Sequence, residues 1–401
     1  MVKSFKILFV CPRIPHPPIK GDSLRAFYQI RELSKYHKLT LLTFSEDPVE
    51  EESFEVLKQM CEKVIIIKHR KIEAIKNIIK SIFSCLPLQC AYYQSEDMRT
   101  KIADVLSTNH FDIIHIQLIR MAPYVFSFKS QLGIPVILDF VDALSLNMYK
   151  RLLREDYWLK IFFFYEWYKT KKYENRLKYC FAKAIITSPF DSKILSLNDD
   201  WLEVIPNGVD LDRFPYYPRK FHEPHTIIFS GNMNYFPNVD AVLFFYYNIY
   251  PKIKKLIPEV RFKIVGVNPA PAILRLTTHD KDVLITGYVK NIAEHIGSAA
   301  VAVAPMLSGS GIQNKILEAM AVGTPVVATK LATNAIKVTP NKDILLANTP
   351  EDFADCVVKL LRDESFWQKL SLNARNLVES EYTWQKVTSK LEAVYAKAVK
   401  L

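Results

Sequence analysis

Three of the chain's ten glycines lie within one 15-residue stretch, together with a lysine and a glutamate. Gly309 and Gly311 follow an apolar run, and Lys315 and Glu318 lie in the apolar-periodic segment that comes next. A glycine-rich turn between a strand and a helix directs backbone N–H groups at the helix N-terminus, which is a site for anions. Lys315 adds a positive charge in the first turn, and Glu318 lies one turn later on the same side. The pattern predicts a phosphate site with a carboxylate nearby for sugar hydroxyls.

Two common phosphate-binding motifs do not fit this loop. It does not end in the Gly-Lys-Ser/Thr of a Walker A motif, and its glycine spacing is not G-x-G-x-x-G. The alternative interpretation is an ordinary βα turn, with Lys315 and Glu318 as an exposed helix pair at i,i+3. Evidence from the rest of the chain is needed to choose between the two.

The composition is that of a globular protein with an unusually positive charge. A length of 401 residues favours two domains over a single core. The six cysteines form no C-x-x-C motif, and no signal peptide is apparent, so we expect reduced thiols and a cytoplasmic protein. The net charge of +11 favours an anionic partner, either a phosphorylated substrate or a membrane face. We expect no nucleic acid partner, because the zinc-ligand spacings and RNP-like strands of nucleic-acid-binding proteins are missing.

Two acidic pairs have the spacing of a metal-binding D-x-D motif. They are Asp210 with Asp212 and Asp280 with Asp282, and both lie in predicted turns. Because two acidic residues with one between them are frequent by chance, we interpret both pairs as turn residues. We therefore expect no metal and no other cofactor.

Short apolar runs alternate with helical patterns along most of the chain. The first run, residues 6–10, precedes a proline-rich loop and a predicted helix over 23–36, and one long helix is predicted over 151–182. This alternation predicts βα units with parallel sheets. The segment Pro206–Asp210 and the three prolines after it are typical of a linker, so we predict domains at 1–205 and 206–382. The last stretch, from 366 to 401, is predicted to be helical.

Several segments of the chain resemble a known family in the expected order. They are Pro17–Arg25, Val204–Asp210, Phe229–Val242, Phe262–Pro271, Val283–Val289 and Gly311–Ala328. Together they are similar to glycosyltransferase family 4 enzymes of GT-B fold, especially the sugar transferases of bacterial exopolysaccharide and exosortase-type loci. The resemblance implies an α/β protein of two Rossmann-like, doubly wound parallel-sheet domains that face a central cleft. It also implies that the C-terminal helix, about 383–401, packs back on the N-terminal domain.

The resemblance assigns the nucleotide-sugar donor mainly to the C-terminal domain and the acceptor to the N-terminal domain. It implies that backbone N–H groups of the glycine-rich turn and Lys315 bind the diphosphate, that Glu318 binds the ribose and that Tyr288 and Val289 bind the base. The implied donor-binding residues are Gly21, Gly231, Asn232, Tyr288, Val289, Gly309, Ser310, Gly311, Ile312, Lys315 and Glu318. Arg25 and Asp142 are the predicted acceptor-binding residues, although Asp142 could equally cap a helix.

The predicted catalytic residues are Asp22, His115 and Lys315, and Asp22 and His115 have structural alternatives, as Lys315 does. Asp22 follows Gly21 in the loop that closes over the donor in the family, but it could merely cap the next helix. His115 ends a predicted strand, where it could be a satisfied structural histidine, and the commoner family position for a histidine is occupied by Gln117.

The chain departs from the family pattern at three phosphate- or sugar-binding positions. Ser310 stands where the first Glu of the family's E-x7-E motif is expected, and Asn232 and Asn238 replace the usual Arg and Lys. Lys315 and the helix dipole therefore remain as the main electrostatic contacts for the diphosphate.

The resemblance implies a retaining, hexosyltransferase-type enzyme that uses a UDP-sugar in preference to a GDP-sugar. The expected acceptor is lipid-linked or a glycan, in bacterial surface polysaccharide or glycoconjugate synthesis. One alternative is a catalytically silent GT-B subunit that binds nucleotide sugar or glycan for a partner enzyme, and another is a sugar-nucleotide epimerase. Basic, aromatic segments at 68–93 and 149–183 favour peripheral contact with an anionic membrane at its inner face, although the same helices could show a solvated basic side.

Overall fold

The chain forms two compact units. The computed structural model describes residues 4–126, 133–153, 156–195, 200–309 and 311–400. Unit 1 comprises Met1–Ile205 with Thr388–Leu401, and unit 2 comprises Pro206–Val387. Each unit contains a parallel β-sheet whose strands alternate with helices, so the predicted α/β class is confirmed.

Unit 1 has a seven-stranded sheet in the order β3-β2-β1-β4-β5-β6-β7. Its strands are β1 (Lys6–Cys11), β2 (Lys38–Ser45), β3 (Lys63–Lys68), β4 (Ile113–Gln117), β5 (Val136–Asp139), β6 (Lys183–Ile186) and β7 (Leu202–Val204). Its helices are α1 (Gly21–Leu33), α2 (Glu51–Met60), α3 (Lys71–Ser81), α4 (Leu88–Tyr92), α5 (Glu96–Thr108), α6 (Pro123–Phe126), α7 (Leu144–Leu152), α8 (Tyr157–Leu177) and α9 (Pro189–Leu195).

Unit 2 has a six-stranded sheet in the order β10-β9-β8-β11-β12-β13. Its strands are β8 (Glu223–Ser230), β9 (Arg261–Val265), β10 (Val283–Ile285), β11 (Ala299–Ala304), β12 (Val326–Ala328) and β13 (Leu345–Leu346). The helices that follow α9 are α10 (Phe236–Phe244), α11 (Tyr250–Leu256), α12 (Pro271–Leu274), α13 (Leu276–His279), α14 (Ile292–Ser298), α15 (Asn314–Val322), α16 (Pro350–Arg362), α17 (Glu364–Glu381) and α18 (Trp384–Val399). A π-helical turn over Phe245–Ile249 separates α10 from α11.

Both sheets reverse their strand order beside their first strand. The reversal lies between β1 and β4 in unit 1 and between β8 and β11 in unit 2. In doubly wound sheets this switch point opens a crevice at the carboxyl ends of the strands, where ligands bind. The loops that follow β8 and β11 are therefore the ones that can hold a ligand in unit 2.

The structure corrects the sequence prediction in two respects. The single helix predicted over 151–182 is instead α7, which ends at Leu152, and α8, which ends at Leu177 before the turn into β6. The short strands β7 and β13 had not been predicted, because three and two residues are too few to show an alternating pattern.

Candidate functional site

The glycine-rich turn of unit 2 leads from β11 into α15, as the spacing predicts. All six residues of β11 are buried, and α15 buries Ile316, Leu317 and Met320 against the sheet. Gly323 ends the helix in the left-handed conformation, with a φ of 85°, which glycine adopts without steric cost. This packing places the first turn of α15, which carries Lys315, at the switch point of the sheet.

Lys315 is held by side chains that come from a different βα unit. Its Nζ donates a hydrogen bond to Asn238 Oδ1 at 2.6 Å and lies 3.9 Å from the centre of the Phe229 ring. Burial lowers the pKa of the Lys315 amine to about 7, and the nearby Glu318 carboxylate acts in the opposite direction. The amine is thus fixed in position before any ligand arrives, and its charge is poised to change near neutral pH.

Two glycines allow the loops after β8 and β9 to lie against this lysine. The Gly231 N–H donates to Val265 O at 3.0 Å, and a Cβ on Gly231 would lie 2.8 Å from Asn238 Nδ2 and 3.3 Å from Lys315 Nζ. A Cβ on Gly266 would lie 1.6 Å from Gly231 O. Both glycines have φ near 150°, a conformation that residues with side chains rarely adopt.

Asn238 joins the turn after β8 to α15. Its Nδ2 donates to Asn232 O at 2.9 Å, while its Oδ1 accepts from Lys315. Asn232 itself is exposed, and its Oδ1 accepts from Asn234 N. The structure therefore brings together three of the predicted donor-binding residues, namely Gly231, Asn232 and Lys315.

Most of the remaining predicted donor residues belong to unit 2, on α15 or in the loops before α15 and after β10. Glu318 is half-buried on α15, and burial raises the pKa of its carboxyl, which Arg213 and Lys315 counteract. Gly309, Gly311 and Ile312 are half-buried in the turn before α15, whereas Ser310 lies outside the described residues. After β10, Tyr288 is 75% exposed and Val289 half-buried, so the Tyr288 ring is available to contact a ligand.

In unit 1, two predicted site residues have no exposed surface. Arg25 Nε donates to Asp139 Oδ2 at 2.6 Å, and both side chains are fully buried. His115 Nδ1 lies 2.7 Å from Tyr395 Oη, its ring stacks on Phe9, and burial lowers its pKa to about 4. Both side chains therefore make buried contacts within unit 1, and the predicted acceptor-binding role of Arg25 and catalytic role of His115 stay predictions.

Asp22 and Gly21 belong to the first turn of α1, which starts two residues earlier than predicted. Asp22 forms an ion pair with Arg13 at 3.0 Å, and its backbone carbonyl accepts from Gln117 Nε2 at 2.9 Å. The N-cap of α1 is Lys20, so Asp22 does not cap the helix.

Asp142 is half-buried beside Thr187, whose Oγ1 lies 3.5 Å from Asp142 Oδ1, and burial raises the Asp142 pKa to about 6. It does not cap α7 either, because that helix has Ala143 as its N-cap.

The two D-x-D pairs are held as turn residues. Asp280 and Asp282 both accept from Lys254 Nζ, at 3.1 and 2.8 Å, and Asp210 Oδ1 accepts from Asp212 N. Within the described ranges, no group of three or more His, Cys, Asp or Glu side chains could hold a metal ion.

Sequence reasoning missed the residues that position Lys315. Asn238 was identified only as a missing lysine, and Phe229 and Gly266 were not assigned to the site. The scarcity of glycine is a signal that could have identified Gly266, because only ten glycines occur in the chain.

The chain is similar in sequence and in fold to known proteins. Residues 224–363 match the family described as glycosyl transferases group 1. An uncharacterized 44.6 kDa protein in the cps region of Klebsiella pneumoniae is 22% identical over 412 residues, covering 96% of this chain and 98% of that protein. The phosphatidyl-myo-inositol mannosyltransferase of Mycobacterium tuberculosis is 30% identical over 218 residues, which cover 50% of this chain and 55% of that enzyme.

Among solved structures, Anabaena HepE in complex with UDP and glucose superposes with a TM-score of 0.68 at 13% identity. The superposition covers 98% of this chain and 99% of that one. At this identity the likeness shows a shared fold.

Proposed function

On the premise that this chain has the GT-B fold and carries a glycosyl transferase group 1 domain, we propose that it is a retaining glycosyltransferase of family 4. It moves a hexose from a nucleotide diphosphate, UDP in preference to GDP, to a lipid-linked or glycan acceptor. The observation that carries the proposal is the cluster of Lys315, Asn238 and Gly231 at the switch point of the unit 2 sheet.

The proposed roles of the donor-binding residues are those that the family resemblance implies, and their places in unit 2 support them. The N–H groups of Gly309, Gly311 and Ile312 face the diphosphate together with the Lys315 ammonium, whereas Ser310, predicted with them, lies outside the described residues. The Glu318 carboxylate accepts hydrogen bonds from the ribose hydroxyls, and Tyr288 with Val289 contacts the base. Gly231 and Asn232 provide backbone close to the phosphates, because no side chain intervenes at Gly231.

Lys315 compensates for the cations that the family usually has after β8. Asn238 replaces the expected lysine, yet its Oδ1 holds the Lys315 amine 2.6 Å away. The positive charge therefore reaches nearly the same place from α15 instead of from α10. This arrangement supports a working donor site and weighs against the catalytically silent alternative.

The reaction breaks the bond between the anomeric carbon and the diphosphate oxygen. Negative charge develops on that oxygen, and the Lys315 ammonium and the helix N-terminus stabilise it where it forms. The acceptor oxygen bonds to the anomeric carbon on the same face of the sugar, and its proton passes to the leaving phosphate. Such a front-face route needs no separate base, which agrees with the burial of His115.

The acceptor and donor classes are supported by the relatives. One relative belongs to a cps region, and another acts on phosphatidyl-myo-inositol, so a polysaccharide intermediate or a lipid-linked acceptor fits best. The HepE complex with UDP supports a uridine nucleotide. A cytoplasmic enzyme in peripheral contact with the inner face of the membrane is part of the same proposal, because lipid-linked acceptors lie at that surface.

A first prediction tests the donor site. Purified protein screened against UDP- and GDP-sugars should show a rise in melting temperature with a UDP-sugar, because a ligand that binds only the folded state stabilises it. The responding donor should also be hydrolysed or transferred. Lys315→Ala should lower kcat/KM about 100-fold, comparable to the loss of one oxyanion-stabilising donor.

The matched control is Lys342→Ala, which removes an exposed lysine of unit 2 that lies in a turn before β13. It should leave the turnover unchanged. Nucleotide-sugar binding without any turnover in the wild type would favour the silent subunit instead. Free epimerised nucleotide sugar without an acceptor would favour the epimerase.

A further inference from the structure

Helix α8 of unit 1 buries charged residues and exposes apolar ones. Its charged residues Glu166, Lys169 and Glu174 face the protein, and Glu166 Oε1 pairs with Lys169 Nζ at 2.8 Å with both side chains buried. Phe163, Tyr173 and Leu177 are buried with them, but most of the large apolar residues of the first half of α8 face outward, with Trp158 84% and Ile161 71% exposed. A water-exposed helix has the reverse arrangement, because burying charge is costly and burying apolar surface is favourable. The outward face of α8 is therefore suited to an apolar medium.

Helix α3 continues this apolar surface. Ile72, Ile75 and Ile79 recur at helical spacing and are each more than half exposed, and Phe83 just beyond the helix is 91% exposed. The two elements are in contact, since Lys169 Nζ donates to Ser81 O at 3.0 Å and Tyr165 Oη to Ile82 O at 3.4 Å. We call the exposed side chains of residues 71–83 and 157–172 the α3–α8 surface. Monomeric proteins rarely expose a contiguous apolar surface of this kind without a partner.

The charges around the α3–α8 surface are almost all positive. Exposed lysines at positions 71, 76 and 80 lie along α3, and those at 160, 171 and 172 lie along α8. The acidic residues of these two helices are Glu166 and Glu174, which are buried, and Glu73, which is half-buried. The surface thus combines exposed aromatic and aliphatic side chains with six exposed lysines.

We propose that the α3–α8 surface docks unit 1 onto an anionic lipid bilayer. Tryptophan, tyrosine and phenylalanine side chains favour the boundary between headgroups and acyl chains, and the lysines contact the anionic headgroups. Helix α8, with 21 residues and a length of about 30 Å, lies in the plane of that boundary. None of the helices that the structure describes has the length and apolarity needed to span a bilayer.

Charge complementarity selects a bilayer over a second copy of this chain. A second copy bound through the same surface would bring its exposed lysines against those of the first copy. The net charge of +11 on each chain would add to this repulsion. The headgroups of an anionic bilayer instead carry the negative charge that attracts these lysines. The inference deepens the proposed function, since it states how a transferase would reach a lipid-linked acceptor, but its observations do not depend on the donor site.

The test is co-sedimentation of the full-length protein with vesicles in the absence of donor. Vesicles that contain phosphatidylglycerol should bind the protein, and binding should weaken about fivefold for each lysine of the surface that is changed to glutamine. Pure phosphatidylcholine vesicles should bind it much less. Trp158→Glu combined with Ile161→Glu should lower the vesicle partition coefficient at least about tenfold, because both side chains would carry charge into the boundary.

A spectroscopic measurement places the surface itself in the lipid. Vesicle binding should shift the tryptophan emission to shorter wavelength, and Trp158→Phe combined with Trp167→Phe should remove most of that shift. On α8, Trp158 is exposed and Trp167 half-buried, whereas Trp367 and Trp384 are already buried. Trp201 is half-buried, and its Nε1 donates to Phe181 O. The control variant is Leu372→Glu on α17, which adds a charge at a 54% exposed leucine of unit 2 and should leave vesicle binding unchanged.

Two results would overturn the docking proposal. One is failure of the wild type to bind phosphatidylglycerol vesicles. The other is self-association of the wild type without vesicle binding, if the Trp158→Glu, Ile161→Glu variant abolishes that self-association. The rise in melting temperature with a UDP-sugar is measured on the same variants. Vesicle binding by a protein whose melting temperature does not rise with any nucleotide sugar would contradict the proposed transferase function and still support the docking surface.

Discussion

At the scale of single residues, the protonation state of Lys315 links donor binding to pH. Burial lowers the pKa of its amine to about 7, so in the free protein at pH 8 most molecules carry a neutral amine. A bound diphosphate favours the ammonium form and raises that pKa. We expect UDP binding at pH 8 to take up close to one proton, and the affinity to fall by up to about tenfold per pH unit above pH 7. Calorimetry in two buffers of different ionisation enthalpy measures this uptake.

The matched variant is Lys315→Arg, whose guanidinium stays charged throughout this pH range. It should bind UDP without proton uptake and with an affinity that changes little between pH 7 and 9. Equal proton uptake by the wild type and the arginine variant would contradict a role for Lys315 as the titrating group.

The sequence was sufficient for some residues of the candidate site and insufficient for others. Lys315 and Glu318 could be assigned because helical spacing alone places them near a glycine-rich turn. The bond from Asn238 to Lys315 spans 77 positions, and the burial of His115 depends on a helix 280 residues later. Such contacts depend on tertiary packing, which the local pattern of residues does not encode.

At the scale of elements, the close approach of the β8 and β9 loops is the feature most sensitive to substitution. A Cβ at Gly266 would lie 1.6 Å from Gly231 O, and a φ of 152° disfavours any side chain there. Gly266→Ala should therefore displace the Gly231 loop and lower the stability of unit 2 by about 3 kcal/mol. Urea unfolding followed by a probe in unit 2, together with UDP binding, measures both effects.

Gly133→Ala provides the comparison within unit 1. Gly133 also has a positive φ, 55°, but none of the residues that the structure describes lies within 4 Å of an added Cβ. Gly133→Ala should therefore lower the stability of unit 1 by only about 1 kcal/mol, which is the cost of the left-handed conformation alone. Similar losses in the two variants would show that conformation, and not the contact with Gly231, limits substitution at Gly266.

The secondary structure was largely predictable because its signals are local. Apolar runs of four to six residues identified the buried strands, as in β1 and β11, and the alternation with helical patterns identified two parallel sheets. The sequence of α8 predicts an amphipathic helix, but it does not show which face of the helix is buried. The burial of the Glu166–Lys169 pair in the structure shows which face of α8 is turned inward.

At the scale of the whole molecule, the last helix belongs to both units. Helix α18 begins at Trp384, and its residues from Thr388 onward are part of unit 1. There Tyr395 contacts His115, Glu392 Oε1 lies 3.0 Å from His37 Nε2, and Lys397 pairs with Glu203. The end of the chain thus supplies partners to buried groups of the unit 1 sheet.

A comparison within α18 shows how much that buried contact contributes. Tyr395→Phe leaves the fully buried His115 Nδ1 without its 2.7 Å partner and should lower the stability of unit 1 by about 1–3 kcal/mol. Lys397→Gln breaks an ion pair whose lysine is 60% exposed, so its cost should stay below about 1 kcal/mol. Hydrogen exchange of β4 peptides should accelerate in the tyrosine variant alone. Equal and small effects of both changes would mean that the Tyr395–His115 contact contributes no more to the stability of unit 1 than an exposed ion pair.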